Sequence, residues 1–387
     1  MKKILIALIL TCCMAGLSAC NVNVNVNNNK DTAAEKTEDV SDASEDSTET
    51  EDAGEDSDVR TLMADADGVL SVGMFSLTMP KDTEGSYIAF ATDNSISICD
   101  KASNEDGFGG YVFSVEAYGE PDDYAGGLGI KKGEIHTGDS IYDVIVTEAT
   151  DVEWDYEKYQ EMPDSYAKIY GHMNDIVDSL KPSDGGEYIP GAGTTGEELY
   201  GDVIAQFKKA ISEKWDASKL EKNGMSSMYY AITQYEGAPD AMKVTGYAFR
   251  DLNSDGIDEL VVGEIAEGDM KGVIYDIYTM VDRKPAHVIS GYARDRYYDL
   301  PGGVLVNEAS GGAELTEVKS YYLTPNTTEL LLQIGVKYDS YDDKDNPWYV
   351  TFGTDEGKWE KITEDEYNEY LGRINDFVRF DYTPFDS

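Results

Sequence analysis

The sequence predicts an α+β protein: two α+β domains with mostly antiparallel sheets, standing behind a disordered acidic tether. Three observations carry that expectation. Short runs of alternating apolar and polar residues recur between turns rich in Gly, Asp and Asn, the pattern of antiparallel strands. Stretches with apolar residues three and four apart flank these strand-rich regions and do not alternate with single strands. The apolar share of 41% is ordinary for a globular chain, so most of the 387 residues carry enough hydrophobic surface to fold.

At the N-terminus, Met1-Lys2-Lys3 precedes an uncharged apolar run over 4–10, short for a membrane span, and then Leu17-Ser18-Ala19-Cys20. An aliphatic residue, two small residues and Cys resemble the lipobox of bacterial lipoproteins. The resemblance implies a signal peptide over 1–19 and acyl chains, palmitate among them, on Cys20. Several chains on one residue hold a protein stably at a membrane where one would not. The expected location is therefore the outer side of a bacterial cell membrane, lipid-anchored. Residues 20–60 form the tether. Between Lys30 and Arg60 there are 13 acids, three bases and no aromatic residue, too little apolar surface to offset the entropy of ordering. Such a flexible segment spans about 35 Å root-mean-square.

Charge and cysteine content narrow the function. With 76 acidic and 31 basic residues the net charge is −45, which excludes gripping nucleic acid or lying flat on an anionic lipid surface. Three His leave little room for a His-rich metal site. Of the four Cys, Cys12 and Cys13 leave with the signal and Cys20 is acylated, so Cys99 remains as a lone, strand-borne and buried thiol, with no disulfide inside the mature chain.

In the N-terminal domain, 61–182, strands are expected over 74–79, 87–90, 95–99, 111–117 and 141–147. One helix follows, with Tyr166, Ile169, Tyr170, Met173, Ile176, Val177 and Leu180 on a single stripe, opened by Pro163 and stopped before Pro182. Residues 183–196, rich in Pro and Gly, are expected to be a linker. The C-terminal domain, 197–387, opens with a helix through Leu199, Val203, Phe207 and Ile211, for which Thr195 and Glu198 have capping-box spacing. A weaker helical stretch is expected over 225–235. Strands follow over 246–250, 259–263, 273–281, 286–290, 304–307, 315–323, 329–338 and 348–352. A closing helix over 364–373 has Thr363 and Glu366 at capping-box spacing. The chain holds 28 Tyr, and the pairs Tyr229-Tyr230, Tyr297-Tyr298 and Tyr321-Tyr322 would put neighbouring rings on opposite faces of strands.

The sharpest local chemistry is Asp251-Leu-Asn253-Ser-Asp255-Gly256-Ile257-Asp-Glu259. Oxygen donors stand at positions 1, 3 and 5, Gly256 allows the tight turn, Ile257 offers a backbone carbonyl, and Glu259 stands at position 9. A hard cation such as calcium takes six to eight oxygens at about 2.3–2.6 Å, which this spacing can wrap. An EF-hand needs Glu at position 12, where this chain has Val262, and the flanks read as strands. The loop therefore resembles integrin-type calcium loops inside a hairpin, and the expected metal set is Asp251, Asn253, Asp255, Ile257 and Glu259, with a structural role. The plainer alternative is a turn built from good turn formers. Asp65-Ala-Asp67-Gly68 is only a fragment of such a loop.

Other matches fail on context. Gly191-Ala-Gly193-Thr-Thr-Gly196 fits G-x-G-x-x-G, but a polar linker and no buried strand is expected before it. Ser165-Tyr-Ala-Lys168 fits S-x-x-K without its K-T-G or S-D-N partners. There is no H-E-x-x-H and no G-x-S-x-G. No catalytic residue is assigned.

The stretch Tyr247-Ala-Phe-Arg-Asp-Leu-Asn-Ser-Asp-Gly-Ile-Asp-Glu-Leu-Val-Val-Gly263 resembles a block of clostridia-like surface lipoproteins, as do Val273-Ile-Tyr-Asp-Ile-Tyr278, Ile362-Thr-Glu-Asp-Glu-Tyr367 and Asp381-Tyr-Thr-Pro-Phe385. The resemblance covers 197–387 and implies a setting at the cell surface, without a mechanism. The expected function is a non-enzymatic binding module that contacts an extracellular glycan or protein, with calcium stiffening the second domain. The alternative is an extracytoplasmic hydrolase, or its accessory subunit, acting on cell wall or polysaccharide.

Overall fold

The computed structural model describes residues 59–119, 128–138, 140–233, 238–268, 271–353, 357–374 and 377–387. The signal peptide, Cys20 and the tether up to residue 58 lie outside the described residues. The fold is α+β, with antiparallel sheets as expected.

The first sheet has seven strands. Across the sheet they run Arg60–Leu62, Tyr87–Ala91, Ser95–Asp100, Tyr111–Tyr118, Ser140–Glu148, Ile130–Thr137 and Glu187–Pro190, each antiparallel to its neighbour. A three-stranded sheet of Val69–Ser71, Phe75–Thr78 and Lys181–Pro182 packs with it. The apolar stripe read as one helix is two, Asp164–Gly171 and Met173–Asp178. His172 breaks it. Its N–H closes a tight turn onto the Ile169 carbonyl, 3.1 Å, and its ring lies between Asp82 and Asp175 at 3.2 and 3.3 Å. The break is one residue long, so Tyr166, Ile169, Met173, Ile176 and Val177 still pack on Ile96, Ile98, Phe113 and Val115.

Two expectations fail at the supposed linker. Residues 187–190 are an edge strand of the first sheet, paired with Ile130–Thr137. So a strand does precede the G-x-G-x-x-G match, but it is an antiparallel edge strand and not the buried parallel strand of a dinucleotide fold. The following helix, Gly196–Ser212, takes no side-chain cap from Thr195. Its start is set by packing: Gly196 lies so close to the Phe249 ring that a Cβ there would overlap it. By contrast, the box at Thr363 and Glu366 forms as read, with Thr363 N–H donating to Glu366 Oε2 at 2.9 Å and Glu366 N–H to Thr363 Oγ1 at 3.3 Å.

The second sheet has eleven strands. From one edge to the other they are Glu360–Lys361, Trp348–Phe352, Leu330–Asp339, Leu315–Leu323, Val304–Gly312, Asp295–Leu300, Ile274–Val281, Glu259–Glu264, Thr245–Arg250 and Thr383–Pro384, with Lys284–Ser290 hairpinned onto Ile274–Val281. Period-two alternation divides the strand Glu259–Glu264 between two cores. Leu260 and Val262 pack under Gly196–Ser212 with Tyr200, Phe207 and Tyr275, while Val261 faces Ile274, Leu305, Phe380 and Tyr382 on the other side. Tyr229 and Tyr230 lie in a helix, Met228–Thr233, and not in a strand. Tyr321 and Tyr322 do split as expected, one buried and one exposed. Both sheets belong to one compact unit, Asp56–Ser387.

Candidate functional site

The loop 251–258 joins Thr245–Arg250 to Glu259–Glu264, which pair in register from Arg250 opposite Glu259. It is a hairpin loop, as its flanks imply. Short polar side chains wrap it by accepting from backbone N–H groups ahead of them, the habit that makes Asp and Asn turn formers. Asp251 accepts from Ser254 N–H at 2.6 Å and Gly256 N–H at 3.0 Å. Asn253 Oδ1 accepts from Asp255 N–H at 3.0 Å, and Asp255 Oδ1 from Ile257 N–H at 2.8 Å. Ser254 and Gly256 supply positive φ, 63° and 85°.

Glu259 behaves differently. It is fully buried, and its carboxylate accepts from Leu252 N–H at 2.6 Å, Asn253 Nδ2 at 3.2 Å and the Thr279 hydroxyl at 2.9 Å. It braces the base of the loop against the neighbouring strand Ile274–Val281. Among the described residues, no three His, Cys, Asp or Glu side chains form a ready metal-holding group. The hard oxygens of the loop are those of Asp251, Asn253, Asp255 and Glu259, each side chain already accepting a hydrogen bond, together with the Ile257 carbonyl. These are carboxylate, amide and carbonyl oxygens, the donor chemistry that suits calcium and not a soft metal.

Electrostatics at the loop also leave room for a positive charge. Burial pushes the Asp255 carboxyl up to about 6, and the charge of Asp251 adds to the rise. Burial drives Glu259 well above the usual carboxylate range, reinforced by Asp255 and Asp251. The charge of Asp251 thus adds to the rise of both Asp255 and Glu259, a cost that a cation would remove.

The loop touches the first sheet. Lys131 N–H donates to the Asp255 carbonyl at 2.6 Å, and a Cβ on Gly256 would meet the Lys131 carbonyl at 2.6 Å. Asp258 N–H donates to the Thr194 carbonyl at 3.1 Å. The Lys131 side chain is only 5% exposed and lies between Glu134 at 2.8 Å and Asp143 at 2.7 Å. Asp143 also takes Arg283 of the second sheet at 3.0 Å, and Glu134 takes His136 at 2.7 Å. Sequence reading missed Lys131, Glu134, Asp143 and Arg283. Nothing local marks them, because their partners meet only in the folded chain.

A second polar cluster surrounds Asp276, which is fully buried. It accepts from Ser226 N–H at 3.1 Å, Tyr229 OH at 2.9 Å and Ser290 Oγ at 2.5 Å, and lies 3.2 Å from His287 Nε2. Ser290 Oγ is 3.1 Å from that same nitrogen. A hydrolytic triad needs the acid on one ring nitrogen and the nucleophile on the other. Here both address Nε2, so Ser, His and Asp stand together without a relay, and the cluster ties Met228–Thr233 to the sheet. A cavity of about 130 Å³ elsewhere, lined by Glu264, Lys271, Phe380 and Tyr382 among others, is small beside the roughly 300–1,000 Å³ of common ligand pockets.

The fold and loop together define an α+β protein with a hairpin loop wrapped by its own Asp and Asn side chains. No family model, curated protein or solved structure matches the chain.

Proposed function

We propose that this chain is a lipid-anchored, extracytoplasmic binding protein without catalytic activity, in which calcium stiffens the hairpin loop 251–258. The observation that carries the calcium reading is the wrapping of Asp251, Asn253 and Asp255 around their own loop by four hydrogen bonds from backbone N–H groups, which gathers hard oxygens on a short segment. Asp251, Asn253, Asp255 and the Ile257 carbonyl would hold the ion, and Glu259 would keep the loop closed at its base. The lipobox at Cys20 and the acidic tether support the anchored, outward-facing setting, and the strong negative charge supports a partner other than nucleic acid, an extracellular glycan or protein. The Ser290, His287 and Asp276 grouping lacks triad geometry and so lends the hydrolase reading no support.

Thermal unfolding tests the loop. Millimolar calcium acting on a site of ~10 μM affinity adds about 2.7 kcal/mol to stability, a rise of several degrees in Tm. Asp255→Ala should abolish the calcium-dependent rise. A wild-type Tm unchanged between calcium and chelator would reduce the loop to a turn.

A further inference from the structure

We propose that the loop 149–163, with Phe108 and Tyr170 beside it, is a docking surface for a Lys- or Arg-rich segment of a partner protein. The inference rests on the non-catalytic binding reading above and names the chemistry of the partner.

The loop joins the strand Ser140–Glu148 to the helix Asp164–Gly171 and contains neither helix nor strand. A connection this long inside a compact domain is uncommon, and an ordered one is usually functional. This one is held by its own bonds. Asp155 Oδ1 accepts from Glu157 N–H and Lys158 N–H at 3.0 Å each, and the Asp155 carbonyl accepts from Tyr159 N–H at 2.8 Å. Trp154 packs edge-on against the buried Tyr166, ring centres 5.1 Å apart, and so fixes the loop to the core. A loop already ordered has little conformational freedom left to lose when a partner arrives.

From that base the loop turns apolar groups outward. Val152, Tyr156, Tyr159 and Met162 are all exposed, Tyr156 to 55%. Phe108 and Tyr170 are exposed as well. Gly110 N–H donates to the Glu153 carbonyl at 3.0 Å, and the Lys158 ammonium donates to Asp106 at 2.9 Å, so the turn carrying Phe108 lies against the loop. The Tyr170 hydroxyl donates to Glu148, where the loop begins, at 2.9 Å. Single exposed apolar side chains are ordinary, whereas Tyr, Phe and Met gathered in one place mark an interaction surface.

Charge selects the partner. Residues 149–163 hold five acids and one base. That base shows how the surface receives a cation: Lys158 Nζ stands 4.7 Å from the centre of the Tyr159 ring while pairing with Asp106. An ammonium placed between an aromatic face and a carboxylate gains from both. Tyr156, between Asp155 and Glu157 in sequence and more exposed than Tyr159, offers a ring and carboxylates to a cation from outside. Such a surface repels anionic lipid and nucleic acid and complements a guanidinium or ammonium on another protein.

The experiment measures binding of a peptide of alternating Arg and Lys to the intact chain by fluorescence anisotropy, with a neutral oligosaccharide as a second probe. A chain of charge −45 attracts any polycation, so the variants leave charge untouched. They are Tyr156→Ala and Phe108→Ala in the surface, and Tyr341→Ala, an exposed tyrosine of the second sheet set among Asp339, Asp342 and Asp343 in sequence. The expected result is at least about fivefold weaker peptide binding in Tyr156→Ala and in Phe108→Ala, and no change in Tyr341→Ala. Hydrogen exchange of 149–163 should slow on adding the peptide to the wild type. Equal affinity in all four chains, or an equal loss in Tyr341→Ala, would reduce the binding to general attraction and overturn the surface. Oligosaccharide binding that is lost in Tyr156→Ala would assign the surface to a glycan and overturn the cationic partner. Absence of peptide binding to the wild type would overturn the proposal and leave the binding reading standing. Cleavage of the oligosaccharide would overturn that reading itself.

Discussion

Glu134 shows how a single side chain is governed by its neighbours. Burial alone would raise its carboxyl, but bonds from Lys131 and His136 outweigh burial and hold it below the ordinary 4.5. A carboxyl depressed by folding contributes stability above its unfolded value, and that contribution is lost as pH falls through the folded one. Glu134→Gln should therefore lower unfolding free energy by about 1–3 kcal/mol near pH 7, with the gap to wild type closing below about pH 4. Urea unfolding at several pH values reads this directly. The site residues were legible in unequal measure. Asp251, Asn253 and Asp255 announced themselves because their chemistry is local, each side chain serving backbone two to five residues ahead. The brace role of Glu259 was not legible, since Thr279 reaches it from another strand.

At the level of elements, two helix starts of identical motif behave differently. Thr363 and Glu366 cap Glu364–Gly372, whereas Thr195 leaves Gly196–Ser212 uncapped because packing against Phe249 fixes that end. Thr363→Ala should cost about 1 kcal/mol in denaturant unfolding, while Thr195→Ala should stay within about 0.5 kcal/mol of wild type. Strands with clean alternation, such as Tyr111–Tyr118, were readable from sequence. The strand Ile130–Thr137 was not. It buries a lysine, carries Gly133 at a register shift, and earns its place through carboxylates that approach only after folding. The strand Asp295–Leu300 was hidden for a similar reason, as it places Asp299 fully inside.

For the whole molecule, the proposed anchoring is separable from folding. Cys20 precedes every described residue, so on the proposed lipidation Cys20→Ser should leave the folded part intact and move the protein out of an acylated membrane pool. Metabolic labelling with palmitate, followed by detergent partitioning, checks this. Retention of label in Cys20→Ser would refute acylation at that residue. The molecule also carries its own clock. Cys99 lies in Ser95–Asp100, 5% exposed, and burial pushes its thiol up to about 12. The thiolate is the reactive species, so a thiol reagent can mark Cys99 in native chains only when this sheet parts. Labelling should be slow in buffer and rapid in denaturant, and its rate in buffer counts how often the first sheet opens.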